Sequence, residues 1–378
     1  MQLQSLSLQA VTGMNFSTLM RVLRRNRLRV HWRYFPRLAY LLVLGCLNSY
    51  ISRLEKAADG ADIAATELVD APIFILGYWR SGTTHLHNLL SCDPSFTCPT
   101  SYQAMTPHHF VYSQPWGSKI FNALTPGKRP MDNVAIKSAT PHEEEMGLAG
   151  LCAVSPYMRA LFPTTGDKAY SAVDPAKLPA GALADWRAAF QLFLKKLTFS
   201  KGKRIVLKSP PHLGRIPILL EMFPRAKFIH IVRNPYAVYL SSQKLWRRGL
   251  SPSHLQEADP QVLDEVILSW YTELYELFER DKSLIPPGSL VELRYEDLDS
   301  SPRQCLEKLY TELGLPGFAR CWARVGEYLK GLGGYKKNRH RLTEEDREKV
   351  SRRWRFTFAR YGYPLIPPLG RGEEVRFS

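Results

Sequence analysis

Two stretches of this chain place an arginine and small hydroxyl residues directly after an apolar run, an arrangement suited to binding an oxyanion. The first is PIFILGYWRSGTTHLHNLL (72–90). Its apolar run reads as a buried strand ending at Gly77; Gly82 follows five positions later, and Thr83 and Thr84 open a helix. This is the GxxxxG frame of a phosphate loop. The backbone N–H groups of such a turn, and the helix N-terminus behind it, point at a bound anion. The lysine of an ATP-binding loop is replaced by Thr83, and the positive charge comes instead from Arg80, inside the loop. A guanidinium matches a planar set of oxygens bidentately, so the loop suits an anion without requiring Mg²⁺. A strand–turn–helix with no ligand is the plainer alternative.

The second stretch, AKFIHIVRNPYAVYLSSQKLW (226–246), has the same architecture. A strand ends at Arg233, Asn234 is a fair N-cap, and Pro235 suits the first helical turn. Ser241, eight positions after Arg233, falls about two turns into the helix, so the pair could hold one phosphate. Two such sites on neighbouring strands suit a ligand with separated anionic groups. Two further groups are chemically loaded. His142, Glu143, Glu144 and Glu145 follow Pro141 at an expected helix start. Adjacent carboxylates repel, so any that are buried are expected to titrate high; alternatively they only complement the helix dipole. Gly331, Gly333 and Gly334 precede Lys336, Lys337, Arg339 and Arg341, a Gly-rich backbone and cations that could close over a phosphate. The alternative there is an exposed helix over 343–360 with i,i+4 ion pairs.

The elements that must position these residues alternate. Strands are expected at 72–77, 204–209, 226–232 and 289–295, and helices at 82–91, 142–151, 181–198, 213–222, 235–247, 259–281 and 301–313. A loop-rich stretch covers 92–141. Continuous apolar strands between helices predict an α/β, three-layer P-loop-like fold, with a central parallel sheet and helices on both faces. Ligands of such sheets sit beyond the carboxyl ends of the strands, where these motifs fall.

The whole chain of 378 residues is 45% hydrophobic and 23% charged, which excludes a disordered chain, a collagen and a coiled coil. Its six cysteines are too sparse for a disulfide scaffold, and no zinc-ligand spacing occurs. The net charge of +16 favours anionic partners. Residues 1–57 carry nine Lys/Arg and one acid. Within them an Arg-rich stretch (21–37) precedes an apolar run (38–51). That run is shorter than the roughly 20 residues of a spanning helix, begins too late for a signal peptide and lacks its cleavage pattern. It reads either as an interfacial membrane anchor or as a core helix with a solvated flank. The expected division is an N-terminal helical segment, 1–70, before a domain over 71–378.

The segments GYWRSGTTHLHNLL, TPHEEEMGL, KSPPHLGRI, FPRAKFIHIVRNPYAVYLSS and RYEDL resemble, in that order, the PAPS-dependent sulfotransferase family, in its divergent bacterial-type branch. PAPS is 3′-phosphoadenosine-5′-phosphosulfate. The resemblance covers roughly residues 70–365. It implies that Arg80, Ser81, Gly82, Thr83 and Thr84 hold the 5′-phosphosulfate and that Arg233 and Ser241 hold the 3′-phosphate. It also implies that Lys208 contacts the phosphosulfate bridge and assists the leaving group. LGGYKKNRH (332–340) looks like this branch's form of the C-terminal cofactor loop, with Lys336, Lys337 and Asn338 as contacts.

Sulfuryl transfer to a hydroxyl needs a base. Glu143 is the first candidate and Glu145 the second. His108, His109 and His212 keep open the histidine base of cytosolic members; His85 and His87 read as packing residues, and Tyr295–Leu298 as structural support. The expected reaction moves a sulfuryl group in-line from PAPS to a hydroxyl acceptor, which could be lipid, quinol, glycan, small alcohol or phenol. It releases adenosine 3′,5′-bisphosphate and uses no metal. The expected place is the cytoplasm, on the membrane's cytoplasmic face if the first segment anchors the protein, with no nucleic-acid partner. The competing readings are a P-loop small-molecule kinase or NTPase, against which the missing lysine counts, and a non-enzymatic membrane- or nucleic-acid-binding protein.

Overall fold

Five apolar runs, Ile73–Leu76 (β1), Phe96–Thr97 (β2), Arg204–Lys208 (β3), Lys227–Val232 (β4) and Leu290–Arg294 (β5), pair side by side in the order β2-β3-β1-β4-β5. All pairs are parallel, so each connection must cross the sheet, usually with a helix. The computed structural model describes residues 12–125, 127, 136–164, 166–332, 340–370 and 374–377. Its helices are, first, Phe16–Arg25 (α1), Phe35–Ala65 (α2), Thr83–Leu90 (α3), Ser101–Met105 (α4), Phe110–Leu124 (α5), Glu144–Cys152 (α6) and Ala182–Lys201 (α7). There follow Ile216–Met222 (α8), Pro235–Lys244 (α9), Pro260–Asp281 (α10), Tyr295–Ser300 (α11), Pro302–Glu312 (α12), Phe318–Gly331 (α13), Glu344–Arg353 (α14) and Arg355–Tyr361 (α15).

Side chains alternate across a strand, and the sheet therefore feeds two cores. Phe74, Leu76, Ile205, Leu207 and Phe228 join one cluster with Trp186 and Phe190 of α7 and Tyr271, Leu274 and Phe278 of α10. Ile73, Ile75, Val206, Ile229, Ile231, Val291 and Leu293 join the other with Leu86 and Leu89 of α3, Leu306 and Leu309 of α12, and Val325 of α13. Each such side chain contributes about 1.5–3 kcal/mol on burial. The outcome is the expected three-layer fold. The register sets Lys208 opposite Ile75 and Arg294 opposite Val232, so the carboxyl ends of β1, β3, β4 and β5 open onto one edge.

The expected apolar run 38–51 falls in the N-terminal half of α2, a helix of 31 residues. One face of it is core: Leu41 joins Met14, Leu19, Val22 and Leu23 in the first cluster, and Asn48 Nδ2 donates to the carbonyls of Thr12 and Met14, both at 2.8 Å. Glu55 makes a buried ion pair with Lys196 of α7 at 2.6 Å. Among the described residues no helix is long and apolar enough to cross a membrane.

Three local differences from expectation have physical causes. The stretch 92–141, expected to be loop-rich, contains β2, α4 and α5. In α5, Pro115 sits inside the helix and Gly117 is required because Tyr102 Oη occupies the place of a Cβ, so helix-breaking residues disguise a helix. The helix expected over 343–360 divides at Trp354, which leaves helical geometry to stack on Tyr271 at 3.6 Å and donate to the Leu268 carbonyl. The helix expected over 235–247 ends in a π-turn, Leu245–Gly249.

Candidate functional site

The turn after β1 is wound tightly by the sequence itself. Ser81 donates its N–H and its hydroxyl to the Tyr78 carbonyl, at 3.1 and 2.8 Å. Arg80 adopts φ +70° and Gly82 φ +97°. At Gly82 a side chain is excluded twice, because a Cβ would also lie 2.2 Å from the Tyr295 ring. Thr83 opens α3 with its side chain buried, and Thr84 is half-buried behind it. The N–H groups at this helix start face the open edge of the sheet, as an anion site requires.

The second turn meets the first. Asn234 caps α9 by accepting from the Tyr236 N–H at 3.0 Å, and Glu296 accepts the N–H of Asn234 at 3.0 Å and the Tyr363 hydroxyl at 2.7 Å. Arg233 is thereby held at the strand end, stacked over the Tyr295 ring at 4.2 Å. It donates to the Arg80 carbonyl at 3.1 Å, and Arg80 Nε donates to Ser241 Oγ at 2.9 Å. Arg80, Arg233 and Ser241, read from sequence as two separate sites, are thus joined in one hydrogen-bonded cluster. Burial lowers the Arg233 pKa, opposed by Tyr295 and reinforced by the Arg80 charge.

Lys336, Lys337 and Asn338 lie outside the described residues. The chain returns at His340, in an antiparallel ribbon of His340–Leu342 (β6) and Val375–Phe377 (β7) whose first strand packs on α9. Burial pushes His340 down to about 4, helped by the charges of Lys244, Arg80 and Arg233. Lys244 and His340 therefore stand near Arg80 and Arg233, and sequence reasoning did not single them out. The only signal for Lys244 was its place three positions after Ser241. A cluster of cations ringed by turn N–H groups has the donor set for a polyanion such as a nucleotide bearing two phosphate ends.

The three consecutive glutamates part company on folding. Glu143 is the N-cap residue of α6, and its Oε1 lies 3.5 Å from Lys208 Nζ. Its Oε2 is buried and makes no hydrogen bond among the described residues. Glu144 is fully buried; its Oε2 accepts the Lys208 N–H at 3.2 Å, and its Oε1 lies 2.6 Å from His212 Nε2. Glu145 is also fully buried and takes Arg215 bidentately at 2.7 and 3.1 Å, with Arg215 stacked on Trp186. The expectation that buried members of the trio titrate high is corrected at Glu144. Burial pushes it up, but the His212 hydrogen bond and charge, with backbone and Ser209 donors, outweigh that and hold it at about 2. Glu145, the second candidate base, faces Arg215 rather than the open edge.

Trp79, from the first turn, donates Nε1 to the Tyr157 hydroxyl at 2.8 Å. The Tyr157 phenol is pushed well above its usual range by burial and then by the Glu143 charge. Trp79 also stacks on Trp270, which meets Trp246 edge-on. An aromatic wall thus stands beside the Glu143 carboxylate. The candidate histidines are engaged elsewhere. His108 Nε2 lies 3.1 Å from the Gly150 carbonyl, His109 contacts Ser113 and Asn48, and His212 is committed to Glu144. His87 is buried against β3, with Nε2 3.4 Å from the Val206 carbonyl, and burial and then the Lys208 charge push it down to about 4. His85 is half-buried on the same helix.

Residues 72–320 match the model of the Sulfotransferase family. The omega-hydroxy-beta-dihydromenaquinone-9 sulfotransferase Stf3 of Mycobacterium bovis (strain ATCC BAA-935 / AF2122/97) is 37% identical over 356 residues, covering 94% of this chain and 92% of the relative. The protein of the same name from Mycobacterium tuberculosis (strain CDC 1551 / Oshkosh) gives the same figures. Among solved structures, sulfotransferase STF1 from Mycobacterium tuberculosis H37Rv superposes with a TM-score of 0.64 at 18% identity, over 89% of this chain and 92% of that one. Sulfotransferase STF9 from Mycobacterium avium superposes with a TM-score of 0.61 at 17% identity, over 93% and 98%. These last two are likenesses of fold.

Proposed function

The chain belongs to the Sulfotransferase family, and from that premise we propose that it sulfates the hydroxyl of an amphipathic lipid alcohol, with PAPS as donor. The bound donor supplies an activated sulfuryl group on a bisphosphate leaving group. The observation that carries the reading is the Glu143–Lys208 pair, where one carboxylate oxygen is buried without a hydrogen bond among the described residues, together with the Arg80–Arg233–Ser241 cluster and the aromatic wall. Support for a lipid acceptor is the 37% identity to a relative whose name specifies a hydroxylated menaquinone.

In this reading Arg80, Ser81, Gly82, Thr83 and Thr84 cradle the 5′ end, and Arg233 and Ser241 hold the 3′-phosphate. Lys244 and His340 stand beside them, and Lys336, Lys337 and Asn338, which lie outside the described residues, are assigned to the same donor. Glu143 accepts the acceptor's hydroxyl proton at its unbonded oxygen. Lys208 offsets the negative charge that develops at the bridge oxygen. Tyr157, fixed by Trp79, limits where the Glu143 carboxylate can point. Glu144 and Glu145 hold the start of α6 against the end of β3 and α8's lead-in, so the base and the lysine keep their spacing. Positioning of this kind supplies much of the rate in group transfer.

The test is product mass. Purified protein is given PAPS and a panel of isoprenoid alcohols and quinols, sterols, glycans and simple phenols. Sulfation confined to the amphipathic alcohols is the expected result. Sulfation confined to glycans or water-soluble phenols refutes the lipid acceptor, and phosphoryl transfer from ATP with Mg²⁺ would restore the kinase alternative.

A further inference from the structure

Helix α2 has no polar side for its first four turns. Its inward face carries Leu41, Gly45, Asn48 and Ile51. Its outward face, at the same helical spacing, carries Pro36, Ala39, Val43, Cys46, Leu47 and Tyr50, all exposed, with Val43 at 68% and Tyr50 at 60%. Surface helices ordinarily turn charged residues outward, and a contiguous exposed apolar stripe marks an interaction surface. At the elbow between α1 and α2, Leu28, Trp32 and Phe35 are more than half exposed. Helix α5, which packs on α2, repeats the pattern with Tyr112, Trp116, Ile120 and Leu124 exposed at every fourth position.

The segment that forms this elbow carries charge of one sign, and Glu257 and Asp167 from elsewhere in the chain offset part of it. Residues 1–54 contain eight arginines and no acid. Arg25 and Arg37 are spent on the carbonyls of Ala153, Ser251 and His254, and Arg33 on Glu257. Arg21, Arg24, Arg27 and Arg29 form no ion pair among the described residues, and Arg21, Arg24, Arg27 and Arg29 are exposed. Arginines flanking an exposed Trp and a Leu/Val/Tyr stripe complement an anionic bilayer, where cations meet headgroups and aromatic rings settle at the interface. A second copy fits worse, because a two-fold contact would set this all-basic segment against itself.

We propose that the arginine elbow and the outward stripe of α2 form a docking face for the surface of an anionic membrane, held peripherally. The inference deepens the lipid-acceptor reading, since it would deliver the enzyme to an amphipathic substrate, but binding to vesicles does not require catalysis. The segment is at once core and contact surface. Deleting it would uncover the side chains that Met14, Leu19, Val22 and Leu23 cover, so the test uses substitutions on the outward face of the full chain.

The experiment is sedimentation with phosphatidylglycerol vesicles and with phosphatidylcholine vesicles, at low and high salt. Full-length protein is expected to bind the anionic vesicles and to release at high salt. The combined R21Q/R24Q/R27Q/R29Q variant should lose roughly fivefold in affinity per arginine. The V43S/L47S/Y50S variant, with every arginine kept, should lose most of its binding to the anionic vesicles at low salt. Adenosine 3′,5′-bisphosphate affinity and melting temperature serve as controls for folding, because none of these residues belongs to the cation cluster. Failure of the unaltered protein to bind anionic vesicles at low salt overturns the proposal, as does unchanged binding by both variants. A dimer in solution that V43S/L47S/Y50S dissociates, without vesicle binding, assigns the face to a second copy instead. Sulfation of a detergent-dispersed alcohol tests the acceptor reading separately, so the two can fail independently.

Discussion

Replacing Glu143 and Glu145 by glutamine, one at a time, separates two duties that lie two residues apart. Glu145→Gln removes the charge facing Arg215, which is 4% exposed and stacked on Trp186. Leaving one partner of a buried pair uncompensated costs about 3–5 kcal/mol. At about 2.1 cal/mol/K per residue, a chain of 378 residues unfolds with an entropy of about 0.8 kcal/mol/K, so the melting temperature should fall by about 4–6 °C. Below its melting temperature this variant should lose turnover by no more than about tenfold, through looser spacing of Glu143 and Lys208, far less than the loss expected from removing the base. Glu143→Gln relaxes a 3.5 Å contact with Lys208 and the coupling to Tyr157, a longer and less enclosed pairing than the bidentate Glu145–Arg215 pair, so its melting temperature should fall less. Loss of the base should lower turnover by about 10²–10⁴-fold with donor affinity intact. Differential scanning fluorimetry, single-turnover sulfation and calorimetric titration with adenosine 3′,5′-bisphosphate read the three quantities on the same samples. The assignment is refuted if Glu143→Gln turns over within a few fold of the native chain, or if Glu145→Gln melts normally while turnover collapses.

Four other outcomes follow from the structure. Arg233→Ala should weaken adenosine 3′,5′-bisphosphate binding by about 2–4 kcal/mol and leave adenosine 5′-monophosphate, which lacks the 3′-phosphate, much less affected; equal losses for both ligands in calorimetry would contradict the assignment. Gly82→Ala, forced to φ +97° against the Tyr295 ring, should abolish donor binding while the far-ultraviolet circular dichroism stays native. His340 is held at about 4 by burial and by neighbouring cations; a bound anion offsets those charges and raises its pKa. Donor binding should therefore take up protons and tighten as pH falls from about 6.5 toward 4, a trend that His340→Gln removes in titrations across buffers of different ionisation heat. Stability should run the other way. Burial holds His87, His108, His109 and His254 at about 4 against 6.5, and Glu144 sits at about 2 against 4.5. Their contributions are complete above pH 6.5, and the histidine share is lost as pH drops toward 4. The Glu144 share is lost between pH 4.5 and about 2, which melting curves across this range would display.

What could be read from the chain beforehand was what depends on local chemistry. An apolar strand followed by Gly77, Arg80 and Gly82, or by Arg233, Asn234 and Pro235, announces its turn within a dozen residues, and the parallel sheet follows from the spacing of such units. The division of Glu143, Glu144 and Glu145 could not be read this way. Successive helical residues point about 100° apart, and the groups that claim them, Lys208, His212 and Arg215, lie more than sixty residues downstream. The rise in carboxylate pKa expected from mutual repulsion gave way to these distant partners. Lys244 and His340 stand near Arg80 and Arg233 only because β6 packs on α9. Helix α5 was hidden because Pro115 and Gly117 are normally read as breakers, and Gly117 answers to Tyr102 rather than to the backbone.

The packing of α2 also sets a schedule for synthesis. Its inward face is covered in part by α7, through the Lys196–Glu55 pair, and α7 ends at Lys201, 136 residues after α2 ends at Ala65. At about 5–20 residues per second, a ribosome needs roughly 7–27 s to produce that cover. Throughout this interval the emerging chain displays the exposed apolar stripe of α2 together with the part of its inward face that α7 will cover, headed by arginines. Holdase chaperones, or the nearest anionic bilayer, would compete for it during translation, and the order of those encounters would decide whether the enzyme meets a membrane before it has an active site.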